Sequence, residues 1–94
     1  ARILLIGNQE ERVEASAHEF YVILKSRLTA SEEILGPAQA PLFKLRGKFR
    51  WQVLLKYKSS VRAHALLQEG LEQYRTRFAR GVRIEVDMDP QSLV

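Results

Sequence analysis

The 94-residue sequence contains no cysteine, only two histidines and no long apolar run. Without cysteine, neither a disulfide framework nor a thiolate metal site is available. The apolar runs fall far short of the roughly 20 residues that span a membrane, and the start lacks the basic-then-apolar order of a signal peptide. We therefore expect one soluble, cytoplasmic domain with a modest core and no membrane partner.

Groups that could do chemistry are scarce. His18 and His64 are isolated, with no carboxylate at metal-ligand spacing, and a lone helical histidine is more often an ordinary surface or core residue. Asp87 and Asp89 could in principle hold Mg²⁺, but Asp89 before Pro90 is typical of a turn. No glycine-rich phosphate loop is present. We expect no catalytic residue, no metal site and no cofactor in this segment.

Acidic residues are missing from the middle of the chain, between Glu33 and Glu69, while the net charge is +4. Clustered cations of this kind indicate a site for a polyanion or an acidic peptide. The alternative is a solvated strand face on which cations discourage edge pairing. The cations in this gap are Lys44, Arg46, Lys48, Arg50, Lys56, Lys58 and Arg62.

Apolar and basic residues alternate from Phe43 onward, which predicts an extended strand. A turn segment, residues 36–41, precedes it. If Gly47 instead forms the tip of a turn between two short strands, the faces before it are exchanged. As a single strand it would bury Phe49, Trp51, Val53, Leu55 and Tyr57, and display Arg50, Gln52 and Lys56.

Hydrophobic periodicity predicts six elements in the order strand, helix, strand, strand, helix, strand. This order predicts an α+β, ferredoxin-like split β-α-β fold. Right-handed crossovers put two helices on one face of a four-stranded, mostly antiparallel sheet and leave the other face open. Asn8 and Glu11 have capping-box spacing, Ser59 or Ser60 caps the second helix, and Gly70 allows close packing on the sheet. The approximate bounds are strand 2–6, helix 10–28, strand 32–35, strand 49–57, helix 60–79 and strand 82–88.

Ferredoxin-like sheets often bind single strands through aromatic residues on the open face. Here Trp51 is predicted to lie in the core, opposite the charges, so base stacking by it is not expected. The segment from Arg46 to Phe49 only faintly matches an RNA-recognition motif, and an RNA-binding ferredoxin-like module remains an alternative.

Several segments together resemble the C-terminal domain of the PriA family, the bacterial replication-restart helicases also called primosomal protein N′. The family carries a Gly-Pro-Ala-Pro-Ala-Pro segment, an Arg-Gly pair, an aromatic-Arg-aromatic-Gln strand and a final Asp-x-Asp-Pro. Gln39 departs from the pattern, since the family usually has proline there. The corresponding residues are Gly36-Pro37-Ala38-Gln39-Ala40-Pro41, Arg46-Gly47, Phe49-Arg50-Trp51-Gln52-Val53-Leu54-Leu55 and Asp87-Met88-Asp89-Pro90-Gln91-Ser92-Leu93.

The resemblance implies that residues 1–94 are a single C-terminal accessory domain cut from a larger chain, an ATP-dependent 3′→5′ DNA helicase of the primosome. ATP, Mg²⁺ and structural Zn²⁺ would be used elsewhere in that parent. This domain would dock on the helicase core, contact single-stranded or forked DNA near the bacterial nucleoid, and help hold the acidic tail of the single-stranded-DNA-binding protein. Arg62 and His64 are the candidates for partner binding. A purely structural role on the helicase core is the other alternative.

Overall fold

A computed structural model describes residues 1–78 and 81–88, and it contains two helices and one four-stranded sheet. Every described strand pair is antiparallel, and the strand order is β2-β3-β1-β4. The ferredoxin-like α+β prediction is confirmed. The elements are β1 (Arg2–Gly7), α1 (Glu10–Lys25), β2 (Glu33–Leu45), β3 (Lys48–Lys56), α2 (Ser60–Phe78) and β4 (Val82–Asp87).

Both helices contribute to one core on one face of the sheet. Ile3 and Val53 pair across β1 and β3, and both side chains are fully buried beneath the helices. Phe20 of α1 and Tyr74 of α2 meet edge to face, with ring centroids 5.9 Å apart. Burying side chains of this size contributes about 1.5–3 kcal/mol each, so this face holds most of the packing energy. Trp51, 8% exposed, belongs to this core as predicted.

β2 is the longest strand, with 13 residues, and it includes the segment expected to form a turn. Pro37 follows a cis peptide bond, and Pro41 lies four residues later in the same strand. Because β2 is an edge strand, the N–H groups that proline lacks can be absent without breaking an inner ladder. The expected short strand at 32–35 and turn at 36–41 were therefore wrong, as was the expectation that β3 would be the longest.

The face opposite the helices is partly covered. Leu4 and Ile6 of β1 point to this face yet are only 5% and 7% exposed, and they form a small cluster with Ala40. The pairing of β2 with β3 shifts between Gln39 and Lys44. Irregular pairing of this kind bends an edge strand, and here the bent segment packs Ala40 on β1. The expected open face is therefore open only in part.

Two local details of the helices differ from expectation. The N-cap of α1 is Gln9, without a side-chain cap, because β1 continues through Gly7 and leaves Asn8 one position too early. Ser59 does cap α2, since its Oγ accepts a hydrogen bond from the Arg62 backbone N–H at 3.2 Å. A Cβ at Gly70 would lie 2.8 Å from Leu24 Cδ2, so Gly70 permits close packing on α1 rather than on the sheet.

Candidate nucleic-acid interface

The alternating basic stretch is a hairpin rather than one strand. Arg46 at φ 53° and Gly47 at φ 76° form a two-residue turn between β2 and β3, as in type I′ hairpins. Leu45 then pairs with Lys48, and Lys44 with Phe49. Directly opposed residues share a face, so Lys44 lies on the side of Phe49. The prediction of one uninterrupted strand was wrong, and its alternative, a turn at Gly47, is confirmed.

Four basic side chains gather at this turn, at one end of the sheet. Lys44, Arg46 and Lys48 are exposed, and Arg50 is half-buried. No acidic residue occurs between Glu33 and Glu69, so neither strand of the hairpin offers a neutralising partner after Glu33. We refer to Lys44, Arg46, Lys48 and Arg50 as the hairpin cations.

Arg50 makes two hydrogen bonds within the chain. Its Nη1 donates hydrogen bonds to the backbone oxygens of Pro41 at 2.8 Å and Leu42 at 3.2 Å. Leu42 has a positive φ of 55°, which an ordinary residue adopts only when neighbouring contacts hold it there. Arg50 therefore fastens the bent segment of β2 that carries Ala40.

Lys56 and Lys58 lie at the other end of β3, eight or more residues from Lys48. At 3.3–3.4 Å per residue, Lys56 is about 27 Å from Lys48. Lys56 pairs across the ladder with Glu33, and Lys56, Lys58 and Glu33 line the same shallow depression. The six cations predicted as nucleic-acid ligands therefore form two separate groups, and the second one includes acidic neighbours.

The structure adds Arg83, which the sequence reasoning did not select. Arg83 of β4 and Lys48 of β3 line one depression of about 390 Å³ at the hairpin end, together with Asn8. Arg83 also forms an ion pair with Glu85 at 2.8 Å, and both side chains are more than half exposed. Alternation in β4 predicts that Arg83 points outward, but its proximity to Lys48 depends on the strand order.

Arg62 serves as a clamp between elements. Its Nε donates to Glu32 Oε2 at 3.1 Å and its Nη2 donates to the backbone oxygen of Arg27 at 2.9 Å. The side chain of Glu32 is 2% exposed and its Oε1 accepts the backbone N–H of Thr29 at 2.8 Å. This backbone hydrogen bond, helped by Arg62, holds the pKa of Glu32 below its usual value. Arg62 thus ties the start of α2 to the connection between α1 and β2.

His64, the other predicted partner ligand, lies elsewhere. It is exposed on α2 and lines a groove of about 400 Å³ between α2 and β4. Leu67, Leu71 and Val86 give this groove an apolar lining, and Arg75 adds a second basic group. Arg62 and His64 therefore do not form one site. Gln68, Glu72 and Met88 complete the α2–β4 groove.

His18 and the Asp87–Asp89 pair are the remaining residues that the sequence singled out for possible chemistry. Within residues 1–78 and 81–88, no group of three or more His, Asp or Glu side chains could hold a metal ion. Asp89, the second carboxylate of the possible Mg²⁺ pair, lies outside the described residues. His18 is exposed, with its ring 6.4 Å from that of Trp51. Over the described part of the chain, no helix has the length and apolar character needed to cross a membrane.

Comparison with known proteins gives one consistent result. The chain matches the sequence family described as Primosomal protein N C-terminal domain over residues 1–91. It is similar to the Replication restart protein PriA of Bacillus subtilis (strain 168), with 31% identity covering 97% of this chain and 12% of that protein. The protein of the same name from Synechocystis is 32% identical over 94% of this chain and 10% of its own length.

The match with the PriA of Haemophilus influenzae is 35% identical and covers 73% of this chain and 9% of that protein. The chain thus spans about a tenth of the length of the curated relatives it matches. Because the family match covers nearly the whole sequence, the chain belongs to the family of primosomal protein N (PriA) C-terminal domains.

Proposed function

We propose that this chain is the accessory DNA-binding and partner-docking domain of a replication-restart helicase, acting in the bacterial cytoplasm on single-stranded or forked DNA. The observation that carries the proposal is the hairpin turn, which gathers Lys44, Arg46 and Lys48 at one exposed end of the sheet. Cations on a projecting hairpin can reach phosphates without reading base sequence. The helicase core of the same longer chain is the proposed docking partner of the remaining surface.

The position of Arg46 supports this role. A two-residue hairpin turn with positive φ at both residues favours Asn or Gly, whereas Arg46 adopts φ 53° with a full side chain. A residue held in a sparsely populated backbone conformation motivates a functional hypothesis. At this position the guanidinium extends from the tip of the hairpin, where a phosphate can approach it from solvent.

Salt dependence tests the proposal. Labelled single-stranded and forked DNA are titrated with the chain at several salt concentrations, and fluorescence anisotropy is measured. Three or four phosphate contacts predict a slope of log K against log salt of about −2 to −2.8 for single strands. Lys48→Glu should weaken binding and make the slope shallower by about 0.7 for each lost contact.

Lys25→Glu on α1 is the matched control, because it makes the same charge change far from the hairpin. Lys56→Glu tests whether the second basic group takes part. No binding at low salt would refute the proposal, as would equal effects of the Lys25 and Lys48 variants. If the isolated chain binds only the helicase core, the purely structural role is the correct one.

The α2–β4 groove is the proposed docking site for the acidic tail of the single-stranded-DNA-binding protein. Its apolar lining can take an apolar side chain, while Arg75 can attract a carboxylate and the imidazole of His64 can donate a hydrogen bond to one. The apolar lining of this groove and its exposed His64 favour His64 over Arg62, which is already paired with Glu32.

Titration with a labelled peptide of that tail tests this second part. His64→Ala and Arg75→Ala should each weaken peptide binding, and the effect of Arg75→Ala should decrease with salt. Arg62→Ala should instead lower the melting temperature and leave the affinity of the remaining folded protein unchanged. The reverse pattern, in which Arg62→Ala abolishes peptide binding and His64→Ala leaves it unchanged, would assign docking to the surface around Arg62.

A further inference from the structure

An aromatic cluster extends from the core to the hairpin end of the sheet. The rings of Phe43 and Phe49 have centroids 5.5 Å apart and planes inclined at 57°. Phe43 also meets Trp51 edge to face, with centroids 6.2 Å apart. Phe43 and Phe49 are half-buried whereas Trp51 is only 8% exposed. The two phenylalanines therefore carry the accessible part of the cluster, and Trp51 supports them from beneath.

A hairpin cation covers one of these rings. Lys44 Nζ lies 5.2 Å from the centre of the Phe49 ring. The irregular pairing between Gln39 and Lys44 allows Phe43 and Lys44, neighbours in sequence, both to contact Phe49. Arg46 and Lys48 follow at the turn. Accessible aromatic rings beside a row of cations are the combination by which proteins bind single-stranded nucleic acid.

We infer that Phe43 and Phe49 form a stacking site for one or two unpaired nucleobases, with Lys44 moving from the Phe49 ring to a phosphate when the base arrives. This inference rests on the proposed DNA binding and names the part of the DNA that this face of the hairpin contacts. Replacing the contact of Lys44 with the Phe49 ring by a stacked base is favourable. An exposed cation–π contact is equivalent to a factor of about 2–5 in affinity, whereas base–aromatic stacking is equivalent to a factor of about 5–150.

The charges around the cluster also set the path of the DNA backbone. Glu11 and Glu14 are exposed on α1, and Glu14 lies one helical turn before His18, whose ring is 6.4 Å from that of Trp51. These two carboxylates outnumber the exposed Arg12 that lies between them, so they disfavour phosphates along this turn of α1. The sugar–phosphate backbone therefore runs along the hairpin turn, and the bases point toward Phe43 and Phe49.

Abasic DNA distinguishes stacking from backbone binding. The 94-residue chain is titrated with a labelled thymidine oligomer and with an abasic oligomer of the same length and charge. We expect the thymidine oligomer to bind about tenfold more tightly. Phe49→Leu keeps an apolar side chain but removes the ring, and it should abolish this difference, leaving the salt slope and the binding of abasic DNA unchanged.

Tyr21→Leu is the matched control. Lys25 Nζ lies 5.4 Å from the Tyr21 ring centre on α1, so this pair has the same arrangement away from the hairpin, and its loss should not change either affinity. Should Phe49→Leu fail to fold, NMR of the unmodified chain still decides, because only thymidine DNA should shift the ring protons of Phe43 and Phe49.

The outcomes separate the two claims. Equal binding of thymidine and abasic DNA, with no ring-proton shifts, would overturn the stacking site while leaving the proposed DNA binding intact. A failure of both oligomers to bind at low salt would overturn the proposed function and the stacking site together. Loss of thymidine binding in Tyr21→Leu would place the stacking site on α1 and refute the assignment to the hairpin.

Discussion

Replacing Arg50 by alanine removes the two hydrogen bonds that hold the bent part of β2 against the sheet. Hydrogen bonds from charged donors contribute about 1.5–3 kcal/mol when water is excluded. The acceptors here, the oxygens of Pro41 and Leu42, are at the surface, so water can replace the guanidinium. We therefore expect a loss of about 1 kcal/mol in the free energy of unfolding, or about 4–8 °C in Tm for a domain of this size.

Thermal unfolding followed by circular dichroism measures this loss. Lys48→Ala is the control, because Lys48 lies two residues earlier on the same strand and is exposed. Its Tm should remain within about 2 °C of the original, as is usual for surface substitutions. Arg50→Lys keeps the charge but loses the forked geometry of the guanidinium, so its Tm should fall between the other two. Hydrogen exchange should become faster around Ala40 in Arg50→Ala.

DNA binding of the same variants completes the test. If the main role of Arg50 is to hold the bent part of β2 in place, Arg50→Lys should bind single-stranded DNA nearly as well as the original chain. The reasoning is wrong if Arg50→Ala leaves Tm unchanged while greatly weakening DNA binding. In that case the guanidinium serves phosphate directly, and its contacts with Pro41 and Leu42 contribute no net stability.

Three further predictions follow from local geometry. Arg46→Asn suits positive φ better and should raise the free energy of unfolding by about 0.5–1 kcal/mol, yet weaken DNA binding. The urea midpoint should therefore rise while the DNA affinity measured by anisotropy falls. Gly7→Ala would put a Cβ 2.6 Å from the backbone oxygen of Gly81, so urea unfolding should show a loss of about 1–3 kcal/mol; an unchanged midpoint would contradict this contact. The pKa of Glu32 is lowered in the folded state from 4.5, so the stability that ionised Glu32 contributes is present above pH 4.5 and is lost as the pH falls below that value. Glu32→Gln should therefore make Tm less sensitive to acid. An unchanged dependence of Tm on pH in this variant would argue against Glu32 as the cause.

The limits of sequence reasoning are clearest at the hairpin. A two-residue turn exchanges the faces of odd and even positions, yet the alternation of apolar and basic residues continues through Arg46 and Gly47 without interruption. Periodicity alone therefore cannot distinguish one strand from two at this point. The positive φ of both Arg46 and Gly47 shows that the segment forms two strands joined by a turn. In the sequence, Gly47 was the one residue that indicated this turn.

The core was predictable for a different reason. Val53 and Leu55, expected to be buried, are 0% and 1% exposed, because on the central strand β3 burial follows directly from period-two alternation. By contrast, Val61 is an apolar residue of α2 but is 80% exposed. It lies in the first turn of that helix, ahead of the packed part, and helical periodicity does not tell where packing begins.

The proline-containing strand was mistaken for a turn because proline argues against a central strand but permits an edge strand. Which strands are at the edge depends on the order β2-β3-β1-β4, a long-range property. The same holds for Arg83, which becomes a neighbour of Lys48 only because β1 lies between β3 and β4 in the sheet.

The separation of the two basic groups along β3 also determines how long a DNA molecule must be to contact both of them. Lys48 and Lys56 stand about 27 Å apart, and successive base pairs of a duplex rise by 3.4 Å. A duplex lying along the strand must therefore reach about eight base pairs before one molecule can touch both groups. Affinity measured against duplex length should show a step near that size if both groups bind, and a smooth dependence if only the hairpin does.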